Sequence, residues 1–148
     1  MKTNSIRMLR TTILSLSKET IRVFRETEVV LLRNRVKEYA VKIRMGLVNQ
    51  TKLITATSEL ARNLLKYAGG GEVLLEIVTR GRENGVRLHF IDKGPGIADI
   101  DLAMRDGYST GKSMGLGLPG TKRLVSEFSI ESEKGKGTTV MILKWANG

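Results

Sequence analysis

The chain has 148 residues, no cysteine and a single histidine, His89. The first absence excludes a disulfide framework, a thiolate metal site and a cysteine nucleophile; the second excludes a multi-histidine metal site. No apolar run approaches the roughly 20 residues a bilayer-spanning helix needs, so no membrane partner is expected. The opening MKTNSIRMLRTTILSL carries positive charge and a short apolar stretch. It lacks a continuous hydrophobic region and a small-x-small cleavage site, so it does not read as a signal peptide. Dense Lys/Arg blocks and basic runs interleaved with aromatics are also missing. This matters because the net charge is +10, which by itself suggests nucleic acid. Residues 1–60 hold twelve Lys/Arg against five Asp/Glu, and residues 61–148 thirteen against ten. The excess is thus spread along an N-terminal tail and helix, including Arg33, Arg35 and Lys37. It reads as a solvated basic face suited to acidic protein partners or to ATP, with nucleic acid disfavoured.

What is present is ordinary for one soluble domain: 41% hydrophobic and 27% charged residues, enough to bury a core. Residues 1–18 read as an N-terminal extension of weak structure, expected to be flexible, and 19–148 as one domain without internal repeats. Thr20 to Phe24 alternates as a short strand does. Thr27 is a plausible N-cap for a helix with apolar residues at Val29, Leu32, Val36, Tyr39/Ala40 and Ile43, ended by Gly46. A second helix is expected from Asn49 or Gln50 to Ala68, with a core stripe of Leu53, Thr57, Leu60, Leu64 and Tyr67. At about 100° per residue, Glu59 and Asn63 fall together about 100° to one side of that stripe. That puts them at the rim of the core.

After Gly69-Gly70-Gly71, a hairpin is expected from Val73 to Thr79 and from Val86 to Ile91, turning at Asn84-Gly85. Asp92 shares the parity of Phe90 and should point inward, where a carboxylate needs a partner. His89 takes the outer parity and is assigned no role. A loop-rich stretch runs from Gly94 to Gly117, with an acidic helical segment near 100–105. Pro119 then opens a helix carrying Leu118, Thr121, Val125 and Phe128 on one side. Strands over 129–133 and 138–145 close the chain. The order suggests a two-layer α/β sandwich, with helices on one face of a mixed or antiparallel sheet.

Four features fall in sequence: Glu59-x-x-x-Asn63 on a helix, Asp92-x-Gly94-x-Gly96 after a strand, Gly115-x-Gly117-Leu118 entering a helix, and Gly137-Thr138 opening a strand. Each alone has a bland reading: solvated surface, a turn-capping Asp, a glycine turn, a hairpin. Together they describe a nucleotide site. An inward Asp can accept from the exocyclic amine of adenine. Gly94 and Gly96 let the backbone pass close to a flat base. Glycines at a helix N-terminus offer N–H groups to phosphate. An Asn amide oxygen suits Mg²⁺, which takes few protein ligands beside phosphate and water. Glu59, one turn from Asn63, is placed to act as general base. Lys112 and Arg105 are candidates for neutralising phosphate charge.

These residues resemble the GHKL superfamily of ATPases and kinases, which share the Bergerat ATP-binding fold. The strings SELARNLLKYAGGG, DKGPGI, DGYST, GLGLPGTKRLVSEF and GKGT, ending near KW, are similar to the RsbT-type serine/threonine switch kinases of bacterial stressosomes. The resemblance covers residues 20–145. It implies that Asn63 holds Mg²⁺, Glu59 activates a substrate hydroxyl, and Asp92 reads adenine with Gly94, Gly96 and Ile97 beside the base. It implies that Thr110, Gly111, Lys112, Gly115, Leu116, Gly117 and Leu118 form a lid over the phosphates and that the Thr138 hydroxyl assists adenine binding. Arg62 would meet phosphate or a partner. Implied partners are STAS-domain proteins as substrates and a PP2C-type phosphatase activated by binding, in a bacterial cytoplasm. No phosphoacceptor-histidine helix precedes the site, which argues against a self-contained sensor histidine kinase. Two further functions stay open: an ATP-binding anti-sigma factor, and a non-catalytic module gated by ATP.

Overall fold

The computed structural model describes residues 12–97, 103–105 and 117–148. Along the chain run β1 (Leu14–Val23), α1 (Glu26–Lys42), α2 (Leu47–Ala68), β2 (Gly71–Arg80), β3 (Glu83–Asp92), α3 (Gly117–Leu124), β4 (Glu127–Glu133) and β5 (Gly137–Trp145). The strands form one sheet in the order β1-β2-β3-β5-β4. Every neighbouring pair is antiparallel, so the mixed alternative falls away.

One core joins the helices to one face of the sheet. Val29, Leu32, Val36 and Ala40 of α1 and Leu53, Ala56, Leu60, Ala61 and Leu64 of α2 meet Val23, Val73, Leu75, Val86, Leu88, Phe90, Val140 and Ile142. The strand residues share one parity, as a two-layer sandwich requires. The other face holds a smaller cluster of Val78, Leu143 and Trp145, with Ile13 and Met141 packed against it.

Several boundaries move. β1 begins at Leu14, inside the segment assigned to the extension, and Leu14 to Lys18 pair with Thr79 to Glu76 of β2. This is an edge strand exposed along its first half, and its apolar parity switches from Leu14 and Leu16 to Ile21 and Val23 across a bulge at Ser15/Ser17, so no single alternation runs through it. α1 starts at Glu26, with Arg25 in the N-cap position, so Thr27 lies within the first turn. The Glu28 carboxylate instead accepts from the Phe24 amide at 2.9 Å. Gly46 is the N-cap of α2, which begins at Leu47. The buried arc of α2 is wider than expected, taking in Ala56, Ser58 and Ala61. Tyr67 falls outside it and is 43% exposed.

The β2–β3 turn is Gly81-Arg82, since Arg80 pairs with Glu83 and Asn84 with Thr79. Gly81 takes φ 62°, the conformation a first-position hairpin glycine supplies. Gly85 is a packing glycine inside β3: a Cβ there would lie 2.8 Å from Trp145 Cε3. The last helix ends at Leu124, so Phe128 reaches the core from β4.

Candidate functional site

Two elements supply the first half of the site. On α2, Glu59 and Asn63 are both part-buried and border the apolar arc. The Glu59 side chain is 18% exposed and lies 3.7 Å from Arg62 Nη1. Arg62 points mainly to solvent, at 55% exposure, so this pair contributes little stability by itself. Inside the same helix, the buried hydroxyls of Thr57 and Ser58 donate to the Leu53 and Ile54 carbonyls. No polar group on the buried side is left to compete with Glu59 and Asn63.

The second half forms where β3 ends and β5 begins. Asp92 pairs directly with Thr138, which places their Cβ atoms about 5 Å apart. Asp92 Oδ1 accepts the Gly94 amide at 2.8 Å, a turn-capping bond that uses one carboxylate oxygen and orients the group. Gly137, at φ 105°, lets its strand approach: a Cβ there would sit 2.1 Å from the Asp92 carbonyl oxygen. Gly137-Thr138 is therefore a required close contact with the loop, beyond an ordinary hairpin.

The 93–97 loop is moulded on the β4–β5 hairpin. Gly135 N–H donates to the Pro95 carbonyl at 2.7 Å, and Ile97 N–H donates to Ser132 Oγ at 2.7 Å. A Cβ on Gly96, which has φ 76°, would meet the Glu133 carbonyl oxygen at 2.2 Å. A Cβ on Gly94 would meet Ala68 Cβ, at the end of α2, at 2.9 Å. These glycines were expected to make room for a base. Their immediate neighbours are protein backbone and the α2 terminus, which brings the loop and the Glu59/Asn63 helix together.

Gly117 opens α3 at φ 68°, and the Thr121 hydroxyl, buried, donates to its carbonyl. Leu118 packs on the core. Arg105 is exposed. Thr110, Gly111, Lys112, Gly115 and Leu116 lie outside the described residues.

Two residues were passed over in sequence. Ser132 follows Phe128 and Ile130 at inward parity on β4. A polar residue at a core-facing position was the available signal. Glu76, buried on the outer face, receives Arg87 through two hydrogen bonds of 3.0 and 3.3 Å. Desolvation pushes the Glu76 carboxyl up, and the Arg87 and Ser15 hydrogen bonds with the charges of Arg87 and His89 outweigh it, leaving a net lowering. His89, given no role, stands 3.6 Å from Glu76, with Nδ1 buried and lacking a hydrogen-bond partner among the described residues. Burial first, then Arg87, holds the imidazole below its ordinary range. Among the described residues no group of three or more His, Asp or Glu gathers as a metal cage. None of the described helices is long and apolar enough to cross a membrane.

Comparison with known proteins gives this geometry a context. A family model described as histidine kinase-, DNA gyrase B-, and HSP90-like ATPase matches residues 48–146. The serine/threonine-protein kinase RsbT of Bacillus subtilis is 42% identical over 125 residues, covering 84% of this chain and 94% of that protein. The anti-sigma F factor of Clostridium beijerinckii is 32% identical over 105 residues, 68% of this chain and 72% of that one. The crystal structure of the RsbU and RsbW domains of a Mycobacterium tuberculosis protein superposes with a TM-score of 0.60 at 19% identity, covering 86% of this chain and 32% of that chain. That likeness concerns the fold alone. With the family match spanning residues 48–146 and the kinase match most of the chain, this protein belongs to the histidine kinase-, DNA gyrase B-, and HSP90-like ATPase family as an RsbT-like GHKL kinase.

Proposed function

We propose that the chain transfers the γ-phosphoryl group of ATP to a Ser or Thr of STAS-domain partners, and activates a PP2C-type phosphatase by binding it, within a bacterial cytoplasmic partner switch. One observation carries the nucleotide half: Asp92 and Thr138 oppose each other at the sheet end where the 93–97 loop meets the terminus of the Glu59/Asn63 helix. Asp92 keeps a second carboxylate oxygen for the adenine amine. Asn63 would hold Mg²⁺ with phosphate oxygens and water completing the shell, and the ion would supply charge neutralisation. The lack of a carboxylate cage among the described residues suits a metal that arrives with the nucleotide.

Glu59 accepts the proton of the acceptor hydroxyl as it attacks. Its part-buried position on α2 keeps it near water at the rim of the core. Arg62 and Arg105 are available to phosphate or to the partner, and Lys112 with Thr110, Gly111 and Gly115 to Leu118 would supply the lid over the phosphates that the family resemblance implies. A Ser or Thr acceptor is supported by the likeness to the Bacillus subtilis serine/threonine-protein kinase.

The decisive experiment is transfer of labelled phosphate from ATP to a purified STAS-domain protein, with Glu59→Ala and Asn63→Ala as controls. Transfer that is lost in both variants is expected; transfer surviving both sinks the assignment. The likeness to anti-sigma F factors supports a second reading, sigma-factor binding. Pull-down with a sigma factor against a STAS protein separates the two.

A further inference from the structure

Ser132 is the junction at which the loop after β3 and the start of β5 are tied together. Its Oγ lies 2.7 Å from Ile97 N, 3.1 Å from the Gly137 carbonyl oxygen and 2.7 Å from Thr138 Oγ1. A serine hydroxyl has one hydrogen to give and two lone pairs to fill. The Ile97 N–H can only donate, so it takes one lone pair. The Gly137 carbonyl can only accept, so it takes the hydrogen. Thr138 must then donate into the remaining lone pair. This arrangement fills every position on Ser132 and leaves Thr138 with its hydrogen committed and its own lone pairs free.

We propose that Ser132 is a positioning and specificity-determining residue: by consuming the Thr138 hydrogen, it makes Thr138 an acceptor facing the same ligand edge as Asp92. Two acceptors side by side match a base edge that offers amine hydrogens, and repel one that presents a carbonyl oxygen. The inference rests on the adenine-site reading of Asp92 and Thr138, and adds to it the source of discrimination between 6-amino and 6-oxo purines. The same hydroxyl, together with the Gly135–Pro95 bond, holds the loop on the hairpin.

Mg²⁺-ATP and Mg²⁺-ITP, whose bases differ at the 6-position (amine against carbonyl) and at N1 (bare nitrogen against N–H, which can satisfy only one of the two acceptors), are the probes, with affinities measured by titration calorimetry on the full chain. Ser132→Ala frees the Thr138 hydroxyl to rotate and donate. It should weaken ATP about tenfold, weaken ITP less, and narrow the ATP/ITP ratio about fivefold, the scale of one or two neutral hydrogen bonds. Ser132→Thr, which keeps the hydroxyl, should restore the ratio. Ser132→Cys, nearly the same volume and a weak hydrogen-bonding group, repeats the test should the alanine variant fold poorly. A role limited to holding the loop would lower both nucleotides equally. An unchanged ATP/ITP ratio in both the alanine and cysteine variants, with the wild type preferring ATP, overturns this inference and leaves the nucleotide site standing. A wild type that binds neither nucleotide overturns both.

Discussion

Gly69 and Gly96 have nearly the same backbone, φ 73° and 76°, in opposite surroundings. A Cβ at Gly69, the C-cap of α2, meets nothing within 4 Å. At Gly96 it lies 2.2 Å from the Glu133 carbonyl oxygen and 2.8 Å from its carbon, both backbone atoms that cannot swing aside. Alanine at either site bears the left-handed cost, about 1–2 kcal/mol. At Gly69 that is the whole expectation. At Gly96 the clash must also be relieved by lifting the loop, which strains or breaks the Ile97–Ser132 and Gly135–Pro95 hydrogen bonds. At about 1 kcal/mol each, these add about 2 kcal/mol. Gly96→Ala should therefore lower unfolding free energy by about 3–4 kcal/mol against about 1–2 for Gly69→Ala, measured by urea denaturation with unchanged slope. If the loop lifts without global loss, the deficit appears in ATP affinity, about thirtyfold for 2 kcal/mol. Equal stabilities for the two variants together with wild-type ATP affinity for Gly96→Ala would refute the claim that the hairpin carbonyl shapes this loop.

Two further outcomes concern the outer sheet face, which carries Glu76, Arg87 and His89. Arg87→Met leaves the buried Glu76 carboxylate without its bidentate partner and should cost about 3 kcal/mol by denaturant melting, with Glu76→Leu in the same chain recovering most of it. His89, faced by Arg87, Glu76 and Glu131, has a folded pKa held below its ordinary 6.5, so only the unfolded chain takes up its proton as pH first falls below that value. Stability should drop from pH 6.5 down to the folded pKa, by at most about 1.4 kcal/mol per pH unit for one proton, and then level off. His89→Gln should remove this slope while leaving the separate loss that begins as pH falls below about 4.5, where the unfolded chain protonates Glu76 and the folded carboxylate, its pKa lowered, stays ionised. A wild type as stable at pH 5 as at pH 7 contradicts the His89 assignment.

How far the sequence could be read depended on whether a feature was set by local geometry or by pairing. Strand parity placed Phe90 in the core and Asp92 on the same side, and helical phase set Glu59 and Asn63 at the edge of the α2 arc. Both follow from periods fixed by the backbone. The β2–β3 turn was misplaced because Asn84-Gly85 carries the stronger local signal, while the structure needs Gly85 for the Trp145 ring across the sheet. β1 was shortened because its exposed first half carries Leu14 and Leu16 on the opposite parity from Ile21 and Val23, the switch being absorbed by a bulge at Ser15/Ser17. Ser132 was legible only as a polar residue at inward parity. Its partners become evident once β4 and β5 are in register, with Ser132 opposite Thr138.

Asp92 shows why the plain and functional readings of one residue need not compete. The capping bond to Gly94 occupies one oxygen and orients the carboxylate, and under the proposed function that orientation is what reading a base would require. In its proposed positioning role Ser132 acts on Thr138 in the same way: a hydroxyl whose hydrogen is committed to a protein partner has only acceptor capacity left to show a ligand. Such internal hydrogen bonds cost the site nothing when ligand enters, because the groups are already oriented. Selectivity at this sheet end should therefore respond more to substitutions behind Asp92 and Thr138, at Gly94 and Ser132, than to changes at exposed Arg62, whose pairing with Glu59 is loose and screened by water.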